Sequence, residues 1–198
     1  MPLTRENVLR LWASEEYKKL SRKLIEQSSG DLLQYTHVRS NITNPDIVLI
    51  DELEYTVEEI IEFLDSIMEP FKKLKNKERK YFRGDTNLIP NKSCMKENYI
   101  SVSKNIEDAI AFIDNPSKSF LSEVTIDSNV KCVQVGVEGE LLLEHGCLWE
   151  VKSQHFTTKV DEVKYKTIKV HIHPPNSNNN DSKSILLTLT LKGDSFSV

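Results

Sequence analysis

Two carboxylates two residues apart, Glu138 and Glu140 in VEGELLLEHGCLWEV (residues 137–151), are the pattern from which this chain can be read as a site. Side chains alternate faces along a strand, so these two acids project to one side, ahead of an apolar run, Leu141-Leu142-Leu143, that reads as a strand entering a core. Like charges on one face repel, and a strand bound for a core has no structural use for them. A solvated edge is the simple alternative. With 30 Asp and Glu in 198 residues, acid-x-acid triplets arise by chance roughly four or five times, so the pattern needs support from elsewhere.

Two other stretches offer it. In YFRGD (residues 81–85), Arg83 stands between aromatics and a glycine at the end of a short strand. A guanidinium presents paired donors matched to phosphate oxygens and keeps its charge when partly dehydrated, so Arg83 can hold a planar anion. Gly84 lets a ligand approach the backbone. In YISVSKNIEDAIAF (residues 99–112), Ser101 and Ser103 alternate with Ile100 and Val102, which sends both hydroxyls to one face of a strand. Elsewhere, His171 and His173 share a face of a strand over 166–173 and would bind a metal only with a third ligand, and no acid or cysteine stands at ligand spacing nearby. His145 and Cys147 lie too close along one strand to work as a base and a thiol nucleophile.

The elements that must position these residues divide the chain into a helical first part (1–75) and a strand-rich remainder (76–198) of one domain, an α+β arrangement. Residues 4–68 read as helical. Val8, Leu11 and Trp12 recur at helical spacing, as do Tyr17, Leu20 and Leu24 beyond Ser14, a cap for the second helix. Asp31 caps the next. Val57, Ile60, Ile61, Leu64, Ile67, Met68 and Phe71 form one apolar stripe behind a capping box of Thr56 and Glu59, with Glu58, Glu62 and Asp65 on the wet face. The basic run KKLKNKERK (72–80) answers the dipole of that helix or faces a phosphate. Asn105 caps a helix with Glu107 and Asp108 in its first turn, packed through Ala109, Ile110, Phe112 and Ile113. A strand over 130–133 precedes the acidic pair. A polar connector, PPNSNNNDSKS (174–184), leads to a last strand over 185–191.

Composition narrows the partners. A net charge of −4 and a pI near 5.8 supply no general attraction to nucleic acid or anionic membrane. The three cysteines, Cys94, Cys132 and Cys147, are odd in number and lack CxxC spacing, so reduced thiols are expected rather than disulfides or a zinc ribbon. The first residues, MPLTRENVLRLW, are charged and amphipathic without the apolar core of a signal peptide. The expectation is a cytoplasmic protein, or one delivered into a host cell by a route that leaves no mark in the sequence.

Taken in order, the three blocks resemble the Arg, Ser-x-Ser and Glu-x-Glu signature of the toxin-like mono-ADP-ribosyltransferases of the arginine-serine-glutamate class. Upstream, Gln34-Tyr35-Thr36 and the helix over 60–68 are similar to helices these domains carry before the arginine, so the resemblance spans roughly 31–151. Leu143 stands where a proline is usual, Glu144-His145 replaces a pair typically without an acid, and the serine block lacks its middle threonine. The resemblance implies an ADP-ribosyltransferase fold: two small, mostly antiparallel sheets with NAD in the cleft between them, flanked by N-terminal helices. It implies cleavage of the nicotinamide–ribose bond of NAD and transfer of ADP-ribose to a protein, with arginine as the acceptor that a glutamate at 138 accompanies.

Within that resemblance Glu140 stabilises the oxocarbenium-like ribose and Glu138 holds and deprotonates the nucleophile. Arg83 binds the pyrophosphate or its ribose, the Gly84 backbone meets the nicotinamide amide, Ser101 orients Glu140, and Ser103 lies at the NAD site or ties strands together. No metal is called for, because the leaving group departs neutral. Only residues 134–137 separate the preceding strand from Glu138, where the family has its target-recognition segment. That brevity keeps an NAD glycohydrolase open as an alternative, beside an inert binding or structural protein on the same scaffold.

Overall fold

The computed structural model describes residues 2–14, 16–28, 44–72, 80–85, 94–113, 115–116, 119–135 and 139–175. Glu138, the Gln34-Tyr35-Thr36 segment, Asp31, most of the basic run and the last expected strand lie outside them. The N-terminal part holds α1 (Arg5–Arg10), α2 (Tyr17–Gln27) and α3 (Val57–Ile67). Their inward residues, Val8, Leu20, Leu24, Val57, Ile60 and Leu64, bury against Val133, Val135 and Leu142 of the strands that follow. Apolar positions three and four apart put one stripe of each helix inside, as the sequence pattern requires. No helix among the described residues is long and apolar enough to cross a membrane.

The helical reading of 4–68 fails between α2 and α3. There the chain forms a hairpin of β1 (Ile47–Ile50) and β2 (Leu53–Thr56), turning at Asp51 and Glu52, which both adopt left-handed φ of 50° and 67°. Two consecutive positive φ values suit the right-handed twist of a two-residue hairpin turn. Lys19 of α2 holds the hairpin, donating to the Ile47 carbonyl at 2.7 Å while pairing with Glu16 at 2.9 Å. Ser14 does not cap α2 from the expected place. Its hydroxyl donates to the Leu11 carbonyl and accepts from the Glu16 N–H, closing the 3-10 turn after α1, and Glu16 occupies the cap position.

The expected capping box at α3 is present. The Glu59 N–H donates to Thr56 Oγ1 at 3.2 Å, and the Thr56 N–H returns a bond to Glu59 Oε2 at 2.7 Å. Thr56→Ala removes one half of this exchange and should lower stability by about 1 kcal/mol. For a chain of this size that is a fall in melting temperature of roughly 2–4 °C, readable by calorimetry.

After α3 come β3 (Glu69–Pro70), β4 (Tyr81–Asp85), β5 (Cys94–Lys96), β6 (Ile100–Ser103), α4 (Ile106–Ile110), β7 (Phe120–Ile126), β8 (Lys131–Val135), β9 (Glu140–Leu143), β10 (Cys147–Val151), β11 (Phe156–Val160) and β12 (Val163–His173). They form an α+β architecture with the order β3-β8-β9-β6-β4-β7-β12-β10-β5, and β11 beside β12. All pairings are antiparallel except β7 with β12. These strands make one ten-stranded sheet rather than the two small sheets expected, and its weakest seam is between β4 and β6, which meet at a single residue pair, Phe82 with Ser103. Helices α1–α3 cover the half that holds β8 and β9. Helix α4 covers the other through Ala109, with Ile113, against Leu121 and Tyr165.

Candidate functional site

The three sequence blocks arrive at the seam of the sheet between β6 and β4. Arg83 sits on β4, Ser101 on β6, and Glu140 opens β9, which β6 pairs in register with Ser103 opposite Glu140 and Ser101 opposite Leu142. Because β4 and β6 share one ladder position, a side chain spans the gap instead. Arg83 Nη1 donates to the Ser101 carbonyl at 2.9 Å, and Nε donates to Asp85 Oδ1 at 3.0 Å. The guanidinium is thereby fixed in orientation while still reaching solvent. Its bond to an ionised partner is of the stronger, charge-assisted kind.

Glu140 is half-buried, and the Ser101 hydroxyl, on the same face of the neighbouring strand, favours its ionised form. Burial pushes the Glu140 carboxyl above its ordinary 4.5, and the negative Asp108 pushes the same way. The Ser101 hydrogen bond and the positive Arg83 draw it back. One acid therefore feels the serine of the adjacent strand and the arginine of the strand beyond it.

Ser103 plays a separate part. Its hydroxyl donates to Asp108 Oδ2 at 3.0 Å and accepts from the Asn105 N–H at 3.0 Å, so it fastens the end of β6 to the start of α4. Gly84 is explained by the same helix. A Cβ built there would lie 2.1 Å from the Ala109 carbonyl oxygen and 2.8 Å from Ile113 Cγ1, so α4 already fills the space expected to admit a ligand. The shared face expected for Glu138 and Glu140 falls outside the described residues; β9 begins at Glu140, and Gly139 before it has φ of 119°. Val135 pairs with Glu140, so residues 136–139 alone join β8 to β9.

A cleft of about 720 Å³ opens beside Glu140, a volume ordinary for a site that takes a cofactor-sized molecule. Its walls are Arg5, Glu6, Leu9, Arg10 and Trp12 at the N-terminal end, Phe112 beyond α4, and Gln134, Val135 and Glu140 on the sheet. Arg83 and Ser101 stand outside this lining. The walls contributed by α1 were not singled out in the sequence, where Val8 and Leu11 marked only a packed face. Phe112, expected in the core, is 65% exposed and stands on the cleft wall.

The thiol alternative fails on geometry and chemistry. Cys147 is fully buried with its Sγ against the Glu144 carbonyl, and burial pushes its thiol up to about 12. His145 turns to Asp65 at 3.4 Å, beneath Tyr99, whose hydroxyl donates to the same carboxylate at 2.7 Å. A thiol so poorly ionised and so enclosed is no nucleophile.

No protein-family model and no curated protein matches the chain. Among solved structures it is similar to C3larvin toxin, an ADP-ribosyltransferase from Paenibacillus larvae, at 15% identity and a TM-score of 0.41, over 82% of this chain and 94% of that one. It is similar to Plx2a, an ADP-ribosyltransferase toxin from Paenibacillus larvae, at 14% identity and a TM-score of 0.44, over 83% and 94%. It is also similar to BECa, an ADP-ribosylating toxin of a binary enterotoxin of C. perfringens solved with NADH, at 12% identity and a TM-score of 0.44. That match covers 93% of this chain and 48% of BECa, so the chain spans about half of that protein's length.

Proposed function

We propose that this chain is a mono-ADP-ribosyltransferase that takes NAD into the cleft beside Glu140 and transfers ADP-ribose to an arginine of an acceptor protein. The observation that carries the reading is that Arg83, Ser101 and Glu140 come from three neighbouring strands to one seam of the sheet, where Arg83 bonds the Ser101 backbone. In this reaction the bond from ribose C1′ to the nicotinamide nitrogen breaks and its electron pair returns to the ring, which leaves neutral. Positive charge builds on the ribose, as in glycoside hydrolysis. Glu140 stabilises that charge and holds the neighbouring 2′-hydroxyl, with Ser101 keeping the carboxylate aimed. Arg83, anchored by two of its donors, turns its remaining edge to the pyrophosphate. Ser103 steadies the adjoining turn, Gly84 serves by letting α4 close on β4, and Glu138 takes the proton from the acceptor guanidinium as the new C1′–N bond forms.

The tight joint between β8 and β9 favours a second reading, in which water replaces the protein acceptor and the enzyme is an NAD glycohydrolase. Incubation of the full chain with NAD labelled in its ADP-ribose moiety and a cell lysate separates the two. Label on protein, removable by hydroxylamine, supports arginine transfer. Free ADP-ribose without protein label supports the glycohydrolase, and intact NAD overturns both.

Ser101 adds a pH signature. Glu140 must be ionised to stabilise the ribose cation, so activity rises with pH through its pKa, which burial holds above 4.5. Ser101→Ala deletes a hydrogen bond that favours the ionised form. The acid limb of the kcat profile should therefore move to higher pH; an unmoved limb would show that Ser101 does not hold the carboxylate.

A further inference from the structure

The third ligand that the sequence did not offer to His171 and His173 comes from a different strand. β7 runs parallel to β12, and Asp127 directly follows β7, where its N–H donates to the Ile172 carbonyl at 3.0 Å. That bond sets the Asp127 carboxylate between the two imidazoles. Oδ1 lies 2.9 Å from His171 Nε2 and Oδ2 lies 2.8 Å from His173 Nδ1. The ligating atoms of all three residues fall within 4.8 Å of one another. His171 and His173 lie two apart on one face of β12, and their rings stand 4.6 Å apart.

The outer partners sharpen the comparison with a metal centre. His171 Nδ1 is 2.8 Å from Thr125 Oγ1, and His173 Nε2 is 2.7 Å from Glu150 Oε2 on β10. Each imidazole thus has its inner nitrogen turned to the shared carboxylate and its outer nitrogen held by a hydroxyl or an acid. Metal-bound histidines are oriented in this way, by a second hydrogen bond that fixes the tautomer and raises ligand basicity. Two imidazole nitrogens and one carboxylate oxygen suit zinc and its neighbours rather than magnesium or calcium, which prefer all-oxygen shells. Side-chain exposures of 24% for His171, 30% for His173 and 35% for Asp127 leave an entry for the ion and room for water at its open positions.

We propose that Asp127, His171 and His173 are the protein ligands of a divalent transition-metal ion of the zinc class, with Thr125 and Glu150 as their outer partners. The ion takes the place of the hydrogen bonds that Asp127 makes to both rings and clasps the ends of β7, β10 and β12. None of these residues lines the cleft at Glu140, so the inference stands apart from the NAD reading.

The test uses the full chain, stripped with a chelator and titrated with Zn²⁺ by calorimetry and with Co²⁺ by absorption. One equivalent of Zn²⁺ should bind with a micromolar or tighter Kd. Co²⁺ should give visible d–d bands without the thiolate charge-transfer band that Cys94 or Cys132 would produce. Asp127→Asn and His173→Gln should each weaken binding by at least about 10-fold with the circular dichroism unchanged, and Glu150→Gln, an outer partner, by about 10-fold. If the two ligand variants fail to fold, Glu150→Gln alone decides. Binding weaker than millimolar in the unaltered chain, a thiolate band, or undiminished affinity in the folded variants overturns the proposal.

Discussion

Glu140→Gln should lower the kcat for nicotinamide release by about 100- to 1,000-fold while leaving the KM for NAD nearly unchanged. Gln keeps the shape of the side chain and can still accept from Ser101. It removes the negative charge opposite the ribose cation, which is needed in the transition state and not in the ground state. Stability separates this loss from a structural one. Burial raises the Glu140 carboxyl in the folded chain above its ordinary 4.5, so above that pH the ionised group works against the fold. Its neutral replacement should therefore melt no lower than the original near pH 7. A variant that loses both activity and melting temperature would point to Glu140 as a packing residue.

Gly84→Ala should be the most destabilising single methyl on the strands around the site. The added carbon would stand 2.1 Å from the Ala109 carbonyl oxygen, a backbone atom that no side-chain rotation can move. Helix α4 would have to lift from β4 and open the cluster of Ala109, Ile113, Leu121 and Tyr165. Overpacking of this severity costs about 3 kcal/mol, or roughly 6–12 °C in melting temperature for a chain of this length. Lifting α4 also displaces Asp108 and the Ser103 turn, so activity should fall with stability. A melting temperature within about 2 °C of the original would mean that α4 does not press on β4 as described.

How much of this was legible in the sequence depended on the range of each signal. The Thr56–Glu59 capping box, the stripe of α3 and the strands carrying Arg83, Ser101 and Glu140 are local patterns, and they stand where the residues put them. The hairpin of β1 and β2 was missed because its turn uses Asp51-Glu52 instead of the glycine that usually marks two left-handed residues. Phe112 was read into the core because periodicity tells which side of a helix a residue occupies, and α4 ends before reaching it. Gly84 was read as space for a ligand, when the space is taken by a helix whose approach no local pattern encodes. Asp127 was invisible beside His171 because 44 residues and a parallel strand pairing separate them in the chain.

The fold explains why the site falls where it does. Antiparallel ladders hold Ser101 and Glu140 on neighbouring strands, whereas β4 parts from β6 after one pair and leaves a guanidinium to bridge the opening. Ladder pairing on one side and a side-chain bridge on the other keep these groups in place.

The account is tested most directly by a crystal structure of the E140Q chain with NAD bound. Arg83 should contact the pyrophosphate, and C1′ of the nicotinamide ribose should lie within about 3.5 Å of the side chain at position 140. NAD seated away from both residues, or absent from the cleft at saturating concentration, would contradict it.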